Sequence, residues 1–510
     1  MNLLRISVSC VALVVLLAAC GARTDLARAG DAAVEAGAVR DAAPMDASLE
    51  AGARDAGAPD SGLATMVCRA DRDCAGDVVC LRDATRAPVD LESVALVCAP
   101  RDPAGRDEGA PCEGEDGSAC GRGLCIVAGT CVAPCVDDAD CAPDARCAEV
   151  YARTAPAALQ PLRACVPRFA LPPDVRARRD VRVAEVRGGE VTVDVGIPHE
   201  APVTLAVFDT PRADPLFAPT LRGPDGATVF DLDALAPGAV PPRNPINPFG
   251  APLTVLLPAS DDAASGTYTL ALAAESRTAV DRVLVARDGR GRTLDVDLYL
   301  VAGRFAGRGG GGLVPALREA IEVFRATYAD AGIAVGEVRT HAVVGGLARR
   351  YAVIEGDGGG GLPELGPLFT LTAGAQGPSV SWFFVREVEG ALGIAGGIPG
   401  AQALPGTEAS GLAVSSDLLA GDIELGSVLV HETGHFLGLF HTSELDGTVL
   451  DPFDDTPACG PERDADRDGA LVYRECLGAG AENAMFWGAR DERRFSASQR
   501  ALLSRALLLR

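Results

Sequence analysis

Residues 431–441 read HETGHFLGLFH, with histidines at 431, 435 and 441, a glutamate at 432 and a glycine at 438. Helical positions four apart lie one above the other on the same face, so the imidazoles of His431 and His435 converge on one ion. Glu432 stands one position round, beside such an ion without being forced into its coordination. Gly438 can take a positive φ and end the helix, and the reversal brings His441 back as a third ligand. Three neutral nitrogens with an open fourth position describe a catalytic zinc site rather than a structural one. The chain has only five His in 510 residues, so three at these spacings are not scatter from a histidine-rich composition.

The amino terminus, MNLLRISVSCVALVVLLAAC, has one Arg, a short apolar run and then Leu17-Ala18-Ala19-Cys20. The run is too short to remain in a bilayer as a permanent helix, so 1–19 reads as an export signal. Its end resembles a bacterial lipobox, which would leave Cys20 as the lipid-bearing first residue of the mature chain. With Gly21 behind the cysteine, the chain is similar to lipoproteins sent to an outer membrane. An ordinary signal peptide ending in Ala-Ala-Cys is the competing reading. Residues 20–66 are mainly Ala, Asp and Gly, too poor in large apolar side chains to offset chain entropy, and are expected to form a disordered tether. A net charge of −24 and a pI near 4.6 argue against nucleic acid as a partner.

Beyond Cys10 and Cys20, twelve of the remaining fourteen cysteines fall between Cys68 and Cys165. The spacing of Cys68, Cys74, Cys80 and Cys98 recurs in Cys135, Cys141, Cys147 and Cys165, with Cys112, Cys120, Cys125 and Cys131 between them. In an exported chain an even count with a duplicated spacing points to a disulfide framework, here three small modules of two bridges each over 67–168. A structural zinc cluster is the alternative, opposed by the lack of His and of paired C-x2-C knuckles. Spacing leaves the connectivity open. The modules read as interaction or spacer domains.

From 169 to 292 short β-branched or alternating runs are punctuated by Pro, Gly and Asp: VTVDVGI (191–197), PVTLAVF (202–208), PLTVLLP (252–258), GTYTLAL (266–272) and DRVLVAR (281–287). That pattern predicts an all-β sandwich. The texture changes again at 293. LDVDLYLVAG (294–303) predicts a strand, and Leu317, Ile321, Phe324 and Tyr328 fall at helical spacing before Gly332. Strands are expected at 333–343, 379–388 and 410–416, one of them an edge able to pair with peptide, before the histidine-bearing helix from about Asp422. The glycine runs 309–312 and 358–361 lack a phosphate-loop Lys-Ser/Thr and read as loops.

After the histidines, Asp464, Asp466, Asp468, Gly469 and Glu475 fit the D-x-D-x-D-G-x5-E calcium loop, the glycine serving the tight bend. An acidic solvated loop is the bland alternative. Asp451, Asp454 and Asp455 are candidates for a second ion. Cys459 and Cys476 bracket the loop as the two cysteines of this region and are expected to pair. Ser496-x-x-Gln499 is a capping box that should open a helix running to Leu509.

The five positions His431, Glu432, His435, Gly438 and His441 resemble the metzincin clan of zinc endopeptidases. HETGHFLGLFHT followed by DDTP, a cysteine, Asn483-x-Met485 and Phe495-Ser496-x-x-Gln499 is most similar to the pappalysin family within that clan. The likeness implies that Met485 forms an apolar floor beneath the metal. It also marks a departure, because Trp487 stands where relatives usually carry a Tyr. If that Tyr stabilises the oxyanion, this chain must use the indole N–H, another donor or none.

The expected architecture is therefore multidomain: small disulfide-rich modules, an all-β sandwich and a C-terminal α+β metzincin-like zinc peptidase domain over 293–510. Zinc on the three histidines would supply a Lewis acid, and Glu432 the general base, for hydrolysis of protein or peptide substrates. Calcium is a second expected cofactor. The expected location is a bacterial outer membrane or cell surface, through lipid on Cys20. A surface binding or adhesion protein with a vestigial peptidase domain is the rival reading, and an enzyme held latent by preceding residues is another.

Overall fold

A computed structural model describes residues 66–510 except 113–116, 156–157, 168, 189–191, 211–214, 233–245, 251, 258–263, 306–312, 357–361, 376, 418–421 and 489–493. The export signal, Cys20, the tether to residue 65 and both glycine runs lie outside the described residues. The described chain is mostly β, arranged in several sheets with few helices. None of those helices is long and apolar enough to cross a membrane.

Six disulfides fall in pairs, Cys68–Cys80 with Cys74–Cys98, Cys112–Cys125 with Cys120–Cys131, and Cys135–Cys147 with Cys141–Cys165. Each pair joins first to third and second to fourth cysteine, with Cα atoms 5.4–6.0 Å apart as a bridge requires. Sulfurs bridged this way have no thiolate left for a zinc cluster. Arginines stitch the modules together. Buried Arg122 of the second donates to Asp71 of the first at 2.6 and 2.8 Å, and Arg72 of the first pairs with Asp137 and Asp140 of the third.

These modules are not free-standing spacers. Val127 and Leu159 share an apolar core with Tyr299, Phe369 and Phe383 of the C-terminal region. Thr130 donates to the Gly374 carbonyl at 2.9 Å, while Asp90 accepts from the Gly346 amide and from Arg349. Through this contact the modules help to bury aromatic side chains of the C-terminal region.

Between 175 and 287 two antiparallel sheets share one core. One runs Ile246–Asn247, Leu253–Leu257, Val203–Asp209, Thr278–Arg287, Val175–Val186; the other is built around Gly266–Ala274. Alternate residues of Val203–Asp209 serve different cores. Ala206 and Phe208 face the partner sheet, whereas Val203, Leu205 and Val207 join Leu294 and Leu298 of the following region. The strand Val175–Val186 was not expected from the sequence. It is an edge strand whose outward positions carry Arg176, Arg178 and Arg179, which hides its apolar period and blunts the edge.

The C-terminal sheet has the order Ala334–Ala342, Thr293–Leu300, Ser379–Val385, Leu412–Ser415, Gly393–Ala395. The first four strands are parallel, and the last is antiparallel at the edge. Helices Pro315–Asp330 and Asp422–Phe436 pack on one face, where Leu317, Ile321, Phe324, Leu425 and Val428 meet Val296 and Leu298. The expected strand over 379–388 divides at Arg386, since Glu387–Val388 turns off to pair with Val353–Ile354.

The final helix has the expected capping box but spans Ala497–Leu503 and does not reach Leu509. The buried Arg287 guanidinium, held by Asp174, takes the Ala506 and Leu509 carbonyls at 2.6 and 2.8 Å. Arg510 and Thr293 then exchange backbone hydrogen bonds at 2.9 Å in both directions.

Candidate metal centre

Val428 and Leu429 anchor the helix Asp422–Phe436 in the core, and this orientation turns His431, Glu432 and His435 toward the edge strand and the following loop. The helix closes at Gly438, which takes φ +110°, with Leu439 N–H donating to the Gly434 carbonyl at 2.9 Å. The reversal returns His441 to the cluster, and the three ring nitrogens lie within 4.8 Å of one another. The other two histidines are elsewhere. His341 lies against Asp297, and His199 lies in the two-sheet region against Thr204.

Each of the three rings has its Nδ1 committed to an oxygen: His431 to the Ala484 carbonyl at 3.0 Å, His435 to the Leu439 carbonyl at 2.7 Å, His441 to Glu444 at 2.9 Å. An Nδ1–H donor in each ring makes every Nε2 an acceptor. Those Nε2 atoms face one another, His431 standing 3.0 Å from both His435 and His441. Three lone pairs in contact with no proton between them repel, and a cation at their focus relieves the repulsion. Burial and the neighbouring His441 hold His435 well below the usual imidazole value, which keeps it a neutral ligand. The donor set fits zinc.

Glu432 is fully buried, and neither carboxylate oxygen has a well-formed hydrogen bond. Burial pushes its carboxyl up to about 8, a rise that the Ala395 backbone amide only partly offsets. The edge strand comes this close because position 393 is glycine. A Cβ there would stand 2.6 Å from Glu432 Cγ and 2.9 Å from Val428. The strand Gly393–Ala395 is too short to carry a periodic signal, and the sequence did not reveal it.

Met485 is buried directly behind the helix, against Gly434. Its turn is set by Asn483, which accepts from the Met485 amide at 2.8 Å and donates to Gln499 at 2.9 Å. The Met485 carbonyl in turn accepts from Thr442, next to the third histidine. Trp487 does not face this cluster. Its indole N–H donates to the Leu471 carbonyl at 2.7 Å, inside a small core with Cys459, Cys476 and Phe486. That engagement removes the indole from the candidate oxyanion donors.

Cys459 and Cys476 are bridged, as expected. In the loop between them Asp464, Asp466 and Glu475 come together, and Gly469 takes φ +84°. Asp464 has one oxygen buried with no hydrogen-bond partner. The fourth expected ligand, Asp468, is not in the group; its carboxylate accepts from the Ala470 amide, as Asp464, Asp466 and Glu475 accept from other amides of the loop. Two of the aspartates suggested for a second ion serve the C-terminal helix instead. Asp455 accepts from Ser496 and Ser498, and Asp451 from Thr456 and Gln499.

No protein-family model matches the chain and no curated protein matches it, so the reading of function rests on the residues and their geometry.

Proposed function

We propose that the protein is a zinc endopeptidase whose C-terminal region is similar to the metzincin clan and, within it, to the pappalysin family. The observation that carries this reading is the set of three converging Nε2 acceptors, each ring fixed through Nδ1, beside a buried and unsatisfied Glu432. The sheet order adds support, since Gly393–Ala395 is antiparallel and last in its sheet, an edge on which an extended peptide can pair.

Zinc bound by His431, His435 and His441 would supply a Lewis acid that acidifies water and polarises a peptide carbonyl. Glu432 accepts the proton of the attacking water and delivers it to the leaving amine as the C–N bond breaks. Its placement suits both steps, because the carboxylate is buried beside the three histidines with neither oxygen engaged elsewhere. The edge strand positions the peptide main chain alongside Glu432, and Met485 supports the helix from behind.

Asp464, Asp466 and Glu475 are the residues proposed to hold calcium, the unsatisfied Asp464 oxygen being the reason. The leader and Cys20 place the enzyme, in this reading, on the outer membrane or cell surface by lipid, acting on extracellular or envelope proteins.

The test is hydrolysis of a mixed peptide library by the purified chain from residue 67, with metal content measured alongside. Cleavage lost in Glu432→Gln while one zinc is retained is the expected result. A mutant as active as the parent removes the mechanism, and zinc bound without cleavage favours a binding protein.

A further inference from the structure

The three candidate ligands are held unequally. His431 and His435 stand on one helix, and their Nδ1–H groups donate to main-chain carbonyls, those of Ala484 and Leu439. His441 lies beyond the helix end, in a segment without regular structure, and its Nδ1 meets the carboxylate of Glu444 at 2.9 Å. Glu444 is itself fixed. Its amide donates to the Val449 carbonyl and its carbonyl accepts from Gly447, both at 2.9 Å, within a tight reversal closed by the Ser443–Leu450 bridge. The side chain is 17% exposed, and among the described residues it makes no ion pair with an arginine.

We infer that Glu444 is a positioning residue for the metal: it locks His441 in the Nδ1–H tautomer and, as a carboxylate, makes its Nε2 the strongest donor of the three. This rests on the zinc reading above. A charged acceptor on the far side of an imidazole raises the basicity of the ligating nitrogen, and partners of this kind are worth about 10–100-fold in metal affinity. The dependence should be greatest for His441, whose ring has no helix to orient it. The spacing of Glu444, three residues past the third histidine, does not reveal the role, because it depends on the chain folding back through Gly447.

Zinc affinity is measured by competition with a chromophoric chelator on the full exported chain, for the parent, Glu444→Gln, Glu444→Ala and His441→Ala. Cobalt(II) spectra and urea unfolding of the metal-free proteins are recorded in parallel. The expected result is affinity about 10–100-fold lower in Glu444→Ala, intermediate in Glu444→Gln with a shifted cobalt band, and unchanged metal-free stability in Glu444→Gln. Unaltered zinc affinity in Glu444→Ala overturns the inference. So does full rescue by Gln with an unshifted cobalt band, which would mean that the carboxylate charge contributes nothing. A parent that binds zinc no better than His441→Ala fails the underlying zinc reading instead, and the two failures are distinguished by that variant.

Discussion

The sulfur of Met485 occupies the space that a side chain at position 434 would need, since a Cβ on Gly434 would lie 2.4 Å from Met485 Sδ. Gly434 sits between the two helical histidines, so the contact couples the helix to the turn beneath it. Alanine at 434 gains about 1 kcal/mol of helix propensity. Overpacking a filled core costs about 1–3 kcal/mol, and this side dominates because Met485 is fully buried. Gly434→Ala is therefore expected to lower urea stability. In a double-mutant cycle with Met485→Ala the two losses should sum to more than the double mutant's loss, by roughly 0.5–3 kcal/mol. Strict additivity would show that the contact does not couple the two sites.

Trp487→Phe separates structure from chemistry at the one position that departs from the family resemblance. The change removes the donor to Leu471 and leaves a buried carbonyl unsatisfied, a loss of about 1–3 kcal/mol. Hydrolysis per folded molecule should be unchanged, as measured by active-site-normalised rates below the unfolding transition. A large fall in kcat with unaltered stability would return the indole to the oxyanion role.

The chain trimmed to 293–510 should not fold. Tyr299 stacks on Phe383 at 4.5 Å and on His341 at 4.7 Å, and this face is covered by Val127 and Leu159 from the disulfide-rich region. Removing that cover exposes apolar and aromatic surface, which favours aggregation over folding. Near-UV circular dichroism of the fragment, against the chain from residue 67, checks this. A fragment with native-like aromatic signals would make the modules dispensable for folding.

Asp451 should make stability depend on pH. Burial pushes its carboxyl up to about 6, against hydrogen bonds from Thr456, Phe453 and Gln499 that pull it down. The folded value stands above the unfolded value of about 4, so the folded state holds the proton more tightly. This contribution is complete below about pH 4 and is lost as pH rises through about 6. Relative to Asp451→Asn, the parent should lose on the order of 1–3 kcal/mol of urea stability between these limits. Parallel pH profiles for the two proteins would show that Asp451 does not titrate in this range.

Much of the site was written in local spacing. His431 and His435 share a helical face whatever surrounds them, and Gly438 takes the positive φ that turns the chain toward His441. The Cys459–Cys476 bridge and the Ser496 capping box are likewise short-range features. Spacing was a weaker guide in the acidic loop, where Asp468 stands outside the group formed by Asp464, Asp466 and Glu475.

What the sequence by itself determined is therefore the set of groups that local geometry brings together: the three histidines, the adjacent glutamate, the cysteine modules and the runs that form strands. Tertiary structure alone decided the Ala484 partner of His431, the approach of Gly393 to Glu432, the engagement of Trp487 with Leu471 and the docking of the disulfide-rich region on the C-terminal sheet. The physical reason is range. Helix period and turn glycines act over a few residues, whereas these contacts join residues far apart in the chain, or joined by a reversal, whose meeting depends on how whole sheets and loops pack.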